Sequence, residues 1–265
     1  MDKKDLLYIF GTVILFATMG LYLAFSQGGS FNSILTIPGR GKAATTPVVT
    51  PSVTPQEAFL QDTPAALDRG SNYIAILESN LGIIELDLFE TQAPNSVKSF
   101  IHLAQNRYYE GTDFHRYIPG AFIQGGSRNT INSDPLDDKL GGPGYITPDE
   151  INWDSLNLNE ERRNQLTTLG YTTNTEVNSV KMEKYSVAFA SSAPNTNGSQ
   201  FFIVIADNGS SILTQLEGIH TVFGKVVKGQ EIIDGLSSLT VNLDNLDYPQ
   251  LPIEFEIKKI SIEVR

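Results

Sequence analysis

Cysteine is absent from this chain of 265 residues, which also has only three histidines and one tryptophan. Without cysteine, the chain has no disulfide bond, thiolate metal site, cysteine nucleophile or lipid-modified N-terminal cysteine. Basic side chains are scarce as well, because 19 Lys and Arg stand against 30 Asp and Glu, a formal net charge of −11. Such an acidic chain repels phosphate backbones, and nucleic acid is therefore a poor candidate for its partner.

A long uncharged run near the N-terminus predicts a transmembrane anchor. Residues 6–25 (LLYIFGTVILFATMGLYLAF) would form a helix about 30 Å long, close to the hydrocarbon thickness of a bilayer. Lys3 and Lys4 precede the run, so the positive-inside rule predicts a cytoplasmic tip at residues 1–5 and an extracytoplasmic remainder. A cleaved signal peptide and a buried core helix are alternatives, although residues 26–30 (SQGGS) make an unconvincing cleavage site.

Residues 26–71 have the composition of a linker. They contain Gly-Gly-Ser at 28–30 and the stretch TTPVVTPSVTP at 45–55. Such a composition buries too little apolar surface to offset its ordering entropy, and it favours extended conformers. The segment is interpreted as a disordered spacer between the anchor and a folded domain at residues 72–265, which carries the whole excess of acidic charge.

Short strands dominate the pattern from residue 72 onward. Two helices are predicted, one that begins at Pro94 and has an apolar face, and a shorter one at residues 230–236. The predicted strands lie at residues 73–77, 83–89, 121–124, 186–190, 201–206, 221–227 and 253–264. Many strands with two helical patterns favour an antiparallel barrel or sandwich over repeated βαβ units.

Several common catalytic sites do not fit these residues. The pairs Gly125-Gly126 and Gly141-Gly142 lack the Lys-Ser/Thr and the strand-to-helix setting of a P-loop. His102, His115 and His220 are far apart in the sequence, which disfavours a metal site, and no G-x-S-x-G elbow indicates a serine hydrolase. One Arg, two Gln and several apolar side chains on adjacent predicted strands remain, and this set is suited to binding a peptide.

Three stretches of the sequence carry a resemblance to a known family. They are FHRYIPGAFIQGG at 114–126 with GGPGY at 141–145, AFASSAPNTNGSQFFI at 188–203, and HTVFGKV at 220–226. In this order they resemble the cyclophilin-type peptidyl-prolyl cis-trans isomerases, and the resemblance covers residues 72–265. Within this family the chain resembles a bacterial-type, membrane-anchored member. The resemblance implies a mainly-β fold, namely a closed antiparallel eight-stranded barrel with two capping helices, and an isomerase that uses neither cofactor nor metal.

The resemblance also implies which residues form the site. Arg116 corresponds to the catalytic arginine, and Gln124 to the glutamine that positions it and contacts the substrate backbone. Phe202 corresponds to the floor of the proline pocket. Without the resemblance, these three residues read as a surface arginine, a polar strand residue and a core phenylalanine. The further substrate-binding positions are Phe122, Leu216 and His220 around the pocket, and Ala190, Ser191 and Gln200 along the groove for residues that precede proline.

This residue set fits the chemistry of proline isomerisation. Rotation about an X–Pro bond loses amide resonance, with a barrier of about 18–20 kcal/mol, but it breaks no bond. In the twisted state the prolyl nitrogen becomes pyramidal and basic, so a donor aimed at that nitrogen stabilises this state over the planar ones. An arginine is suited because its guanidinium is always charged and has several fixed donors.

Three positions depart from the family pattern. Ala121 lies where the family commonly has phenylalanine, and Gln215 lies where many members have tryptophan. Ser191 replaces an asparagine at a position where mainly the backbone is used. Phe122 is a partial replacement for the missing ring, although successive strand residues face opposite sides. We predict a wider, less apolar pocket that loses about 1–3 kcal/mol of proline binding.

Residues 153–184 form an insertion relative to bacterial-type members. Asn159 is a candidate helix cap with Glu160 and Glu161 in the first turn, and Gly170 is a candidate helix stop. Two interpretations stay open, a loop that only decorates the barrel, and a lip over the peptide groove or a docking element for a partner.

These features lead to one main hypothesis and one alternative. The chain is expected to be a cell-membrane-tethered, extracytoplasmic prolyl isomerase that assists folding by binding proline-containing peptides and unfolded exported proteins, with a monomeric folded domain. The alternative, favoured by Ala121, is a tethered proline-peptide binding module or holdase with weak or no catalysis.

Overall fold

The computed structural model describes residues 67–68, 70–132, 134–135, 137–238 and 253–265. The predicted cytoplasmic tip at 1–5, the anchor at 6–25 and most of the predicted linker lie outside these described residues. Within the described ranges, no helix combines the length and the apolar character that crossing a bilayer requires. Leu67, inside the predicted linker, packs against the core of the domain.

The described residues form a nine-stranded antiparallel sheet with four α-helices. Two 3-10 turns, at Arg128–Ile131 and Asp138–Leu140, lie between β5 and the insertion. The strands are β1 Tyr73–Ser79, β2 Ile83–Leu88, β3 Thr112–Asp113, β4 Arg116–Ile118, β5 Phe122–Gly125, β6 Ser186–Phe189, β7 Phe201–Val204, β8 Val222–Lys228 and β9 Glu256–Val264. The helices are α1 Pro94–Gln105, α2 Glu160–Thr168, α3 Ser211–Leu216 and α4 Gln230–Ser237.

The prediction of a closed eight-stranded barrel is wrong. The strand order is β3-β9-β1-β2-β8-β6-β7-β5-β4, and no backbone ladder joins the edge strands β3 and β4 in the part of the chain that is described. Only Phe114 and His115 separate these two strands along the chain, so the edges of the sheet lie close together. Because β3 is only two residues long and is paired with β9, the sheet remains an open half-barrel.

One face of the sheet holds an aromatic core. The ring centroid of Phe100, in α1, lies 5.6 Å from that of Phe201 and 5.1 Å from that of Phe223, and all three side chains are fully buried. Phe201 belongs to this core cluster, whereas Phe202, the next residue of β7, does not. Since successive strand residues face opposite sides, β7 gives one phenylalanine to the core and one to the other face.

The helix α1 begins at Pro94, as predicted, and a distant carboxylate caps it. The amides of Asn95 and Ser96 donate to the two carboxylate oxygens of Glu150 at 2.9 and 2.8 Å. The first amides of a helix have no partner within the helix. This cap therefore ties α1 to the segment that leads into the insertion.

The insertion contains the helix expected after Asn159. The Asn159 side-chain oxygen accepts a hydrogen bond from the Arg162 amide at 2.9 Å, and α2 ends just before Gly170, which has a φ of +88°. The insertion also has a small apolar cluster, which includes one residue that lies two positions before it: Ile151, Trp153, Leu156, Leu166 and Tyr171. The insertion is thus a packed element of the domain.

Asp113, in β3, gives the folding stability a pH dependence. Burial, together with repulsion from nearby acidic side chains, raises the pKa of Asp113 to about 6. Because the pKa is raised above its unfolded value of about 4, this group lowers the stability progressively as the pH rises from about 4 to about 6, and the full loss remains above pH 6.

We expect Asp113→Asn to raise the melting temperature by about 1–4 °C at pH 7.5, after allowance for solvent screening of this half-buried group. Near pH 4 the variant and the wild type should melt together. Thermal unfolding at both pH values measures this difference, and an equal shift at both would show that the carboxylate charge is not its cause.

Candidate active site

Three neighbouring strands place the two predicted catalytic residues and one predicted substrate-binding residue in one row. Arg116 in β4 pairs with Gln124 in β5, and Gln124 pairs with Phe202 in β7. Residues that are directly opposite in neighbouring strands project from the same face of a sheet. The row therefore brings the arginine, the glutamine and the phenylalanine together on the face away from the aromatic core.

A chain of hydrogen bonds fixes the polar side of this row. Arg116 Nη1 donates to Gln124 Oε1 at 3.1 Å, and Gln124 Nε2 donates to Gln200 Oε1 at 2.8 Å. Gln200 Nε2 donates in turn to the carbonyls of Lys139 and Gly141, at 3.0 and 2.8 Å. Arg116 has only 3% of its surface exposed, and this burial together with the bond to Gln124 holds its guanidinium in one orientation.

Apolar rings lie directly beside the guanidinium. The ring centroids of Phe122 and Phe202 are 4.8 Å apart, and Arg116 Cζ lies 5.3 Å from the centroid of the Phe122 ring. The His220 ring meets Phe202 edge to face at 5.1 Å. Leu216, the last residue of α3, is buried. The site thus combines an apolar surface with a positioned cation, as a proline ring and its nitrogen require.

Phe122 faces the site, and Ala121 is fully buried. Phe122 lies two residues before Gln124 in β5, so the two side chains share a face. The carbonyl of Ala121 accepts hydrogen bonds from the amides of Ile205 and Ala206, at 2.9 and 3.1 Å. Ala121 is thus held at the start of β5 by its backbone, while the ring of Phe122 packs on Phe202.

The other predicted positions lie around this centre. The Ala190 amide donates to the carbonyl of Gln200 at 2.9 Å, so the segment with Ala190 and Ser191 runs beside the glutamine. Ala190 and Ser191 are both partly exposed. Gln215 is partly exposed as well, and its carbonyl accepts a hydrogen bond from Arg162 at 2.6 Å.

Two histidines border the site in the neutral form. Burial lowers the pKa of His115 to about 4, and burial lowers the pKa of His220 to about 4 as well, with the charge of Arg116 acting in the same direction in both. Both imidazoles are therefore uncharged at neutral pH. Among the side chains of the row and of the apolar surface beside it, Arg116 then carries the only charge.

Close backbone packing accounts for the glycine pair at the end of β5. A Cβ atom on Gly126, which has a φ of +83°, would lie 2.7 Å from the carbonyl oxygen of Ser199. A Cβ on Gly125 would lie 2.9 Å from Phe114 Cδ1. These glycines allow the chain to pass between Phe114 and the segment that leads into Gln200.

Two features of the site were missed by sequence reasoning. The carbonyls of Lys139 and Gly141 hold Gln200, and the glycine motif at 141–145 was the available signal for this segment. Arg162, in the insertion, binds the end of α3. It lies in a polar helical segment whose sequence gives no indication of this contact.

Comparisons with known proteins identify the family of this chain. The family model of cyclophilin-type peptidyl-prolyl cis-trans isomerases matches residues 73–259. Peptidyl-prolyl cis-trans isomerase B of Streptomyces anulatus is 32% identical over 185 residues, covering 63% of this chain and 85% of that protein. A peptidyl-prolyl cis-trans isomerase of Acinetobacter baylyi is 28% identical over 198 residues, covering 74% of this chain and 87% of that protein.

Solved structures give the same result. A cyclophilin-type peptidyl-prolyl cis-trans isomerase of Cryptosporidium parvum has a TM-score of 0.51 and 28% identity, covering 73% of this chain and 98% of that chain. A second structure, solved in the presence of the dipeptide Ala-Pro, has a TM-score of 0.50 and 30% identity, covering 72% of this chain and 98% of that chain. The family match spans more than half of the chain, which therefore belongs to the cyclophilin-type peptidyl-prolyl cis-trans isomerases and is an enzyme of that class.

Proposed function

We propose that this isomerase, a membrane-anchored member of bacterial type, acts on X–Pro bonds of exported polypeptides outside the cytoplasm and assists their folding. The observation that carries the catalytic part is the hydrogen-bonded row from Arg116 through Gln124 to Gln200, beside the rings of Phe122 and Phe202. It places a fixed cation next to an apolar surface.

In the proposed mechanism the enzyme binds the twisted amide more tightly than either planar isomer. The proline ring packs against Phe122, Phe202, Leu216 and His220, while Arg116 donates a hydrogen bond to the prolyl nitrogen. That nitrogen is a good acceptor only when the amide is twisted, so the interaction strengthens in the transition state. Gln124 fixes the guanidinium before the substrate arrives, and no covalent intermediate forms.

The peptide segment before the proline is assigned to the groove formed by Ala190, Ser191 and Gln200. Gln200 is held by two backbone carbonyls, which fixes its amide beside this groove. The Cryptosporidium parvum relative was solved in the presence of the dipeptide Ala-Pro, which supports proline-containing peptides as ligands here.

A protease-coupled assay on a short X–Pro peptide, with the detergent-solubilised full chain, tests the catalytic proposal. We expect the cis isomer to convert faster than in the uncatalysed control, in proportion to enzyme concentration. An uncatalysed rate with intact peptide binding would instead identify the chain as a proline-peptide binding module or holdase.

The proposed location rests on the uncharged run at residues 6–25 and the preceding Lys3 and Lys4. The linker that follows, treated as a flexible coil, would let the domain range roughly 35–40 Å from the membrane. We expect protease added to intact cells to release a soluble domain by cutting between Ser26 and Ser71.

The outcome of this protease experiment has two clear alternatives. Full protection until the cells are lysed would place the domain in the cytoplasm and overturn the orientation. A secreted product that begins near Ser26 would show that residues 6–25 are a cleaved signal peptide.

A further inference from the structure

The insertion contacts the loop that carries the wall of the proposed proline pocket. Helix α3 ends at Leu216, and the chain then turns through residues 217–219 to His220. From α2, Arg162 Nη2 donates to the carbonyl of Gln215 at 2.6 Å and to the carbonyl of Glu217 at 3.1 Å. One guanidinium nitrogen thus binds the backbone on both sides of Leu216.

These two hydrogen bonds stabilise the end of a very short helix. The last carbonyls of a helix have no partner within the helix, and α3 has only six residues. A positive charge at this end also interacts favourably with the helix dipole. Arg162 is partly buried, which shields these interactions from solvent.

Apolar contacts from the insertion reinforce the same loop. A Cβ atom placed on Gly218 would lie 2.7 Å from Leu166 Cδ1 and 2.8 Å from Leu158 Cδ1, so the two leucines pack directly against this glycine. Gly218 has a φ of +83°, which favours glycine at the turn. The next residue, Ile219, packs against the apolar cluster of the insertion.

The returning segment of the insertion also reaches this loop. The amide of Met182 donates to Glu217 Oε1 at 3.2 Å. A small cavity of about 10 Å³ lies between the two segments, with Leu156 and Met182 on the insertion side and His220 on the loop side. Residues of the insertion therefore border His220, whose ring also contacts Phe202.

We propose that Arg162 is a positioning residue for the proline pocket. Arg162 holds the end of α3, and Leu216 and His220 thereby keep their places in the pocket wall. This inference rests on the proposed function, because it takes those two residues as the wall. A wall that contacts the proline ring equally in the planar and twisted states affects KM more than kcat. The insertion is then a support of the site and not only a decoration of the sheet.

The test compares two neighbouring arginines of α2 in the full chain. Arg162→Met keeps an unbranched side chain but removes both hydrogen bonds to the α3 end. Arg163→Met is the matched control, because the partners of the Arg163 guanidinium among the described residues, Leu158, Trp153 and Asp154, all lie within the insertion. We expect Arg162→Met to raise KM for an X–Pro peptide about 3- to 10-fold with kcat within about two-fold, and Arg163→Met to retain the wild-type KM.

Arg162→Lys provides the rescue measurement. Lysine keeps the charge and can donate to these carbonyls without the fixed geometry of a guanidinium, so its KM should lie between those of wild type and Arg162→Met. Melting temperature and Trp153 emission establish that each variant is folded at the assay temperature. If Arg162→Met is unfolded at the assay temperature, Leu158→Ala takes its place. This variant weakens the packing of the insertion against Gly218, in the loop that follows α3, and should raise KM similarly.

The possible results separate this inference from the proposed function. An unchanged KM in folded Arg162→Met, or in Leu158→Ala when that variant replaces it, overturns the positioning role, and so does an equal rise in Arg163→Met. Wild-type enzyme that fails to accelerate isomerisation overturns the proposed function itself. If the wild-type enzyme is active, Arg116→Ala lowers its kcat and Arg162→Met leaves its KM unchanged, the proposed function stands and only this inference is overturned.

Discussion

Arg116→Ala is expected to lower kcat for an X–Pro peptide by one to three orders of magnitude, equivalent to about 1.4–4 kcal/mol of transition-state stabilisation. Arg116 lies in the hydrogen-bonded row with Gln124 and is almost fully buried. Its donor would act only on the twisted amide, so its loss should appear mainly in kcat. The protease-coupled assay over a range of peptide concentrations measures kcat and KM separately.

Two further variants control this experiment. Arg116→Lys keeps the charge but loses the planar set of donors, and an intermediate kcat is expected. Arg128→Ala removes another arginine, which hydrogen-bonds to the carbonyls of Tyr108 and Glu110 outside the site, and should leave kcat unchanged. A wild-type kcat in folded Arg116→Ala would exclude the arginine as the catalytic donor.

The longer strands could be predicted from the sequence because their pattern is local. β1 begins with five consecutive apolar residues, and β2, after the hairpin at residues 80–82, alternates apolar with acidic residues. The prediction placed both strands within two residues of their observed ends. β3 and β4 have two and three residues and α3 has six, lengths at which no periodicity is measurable. The open seam between β3 and β4 depends on backbone pairing between edges, which residue patterns do not encode.

Some residues of the candidate site could likewise be predicted from local sequence, and others could not. Arg116, Gln124 and Phe202 could be assigned from contiguous motifs, and the strand register then places them in one row. The orientation of Phe122 also follows from strand alternation once Gln124, two residues later, is taken as the reference. Arg162 could not be assigned, because its contact with Gln215 joins residues 53 positions apart through an unpatterned insertion.

The adjacent phenylalanines of β7 offer the second test of the site, since they face opposite sides of one strand. Phe201 lies in the aromatic core, and Phe202 lies between Phe122 and His220. Both are almost completely buried, so Phe201→Ala and Phe202→Ala should each lower the free energy of unfolding by about 3–5 kcal/mol. Urea unfolding of the two variants measures this shared effect.

Only Phe202→Ala should weaken the interaction with proline peptides. The Phe202 ring packs against both Phe122 and His220, so its removal should leave these two pocket residues without support. We expect a 10- to 100-fold rise in KM, which corresponds to roughly 1.4–2.7 kcal/mol. Phe201→Ala, assayed at a temperature where it is folded, should keep KM within about two-fold of wild type. Equal KM values in the two variants would mean that Phe202 stabilises the fold without forming the floor of the pocket, because the stability loss common to both would then account for the whole effect.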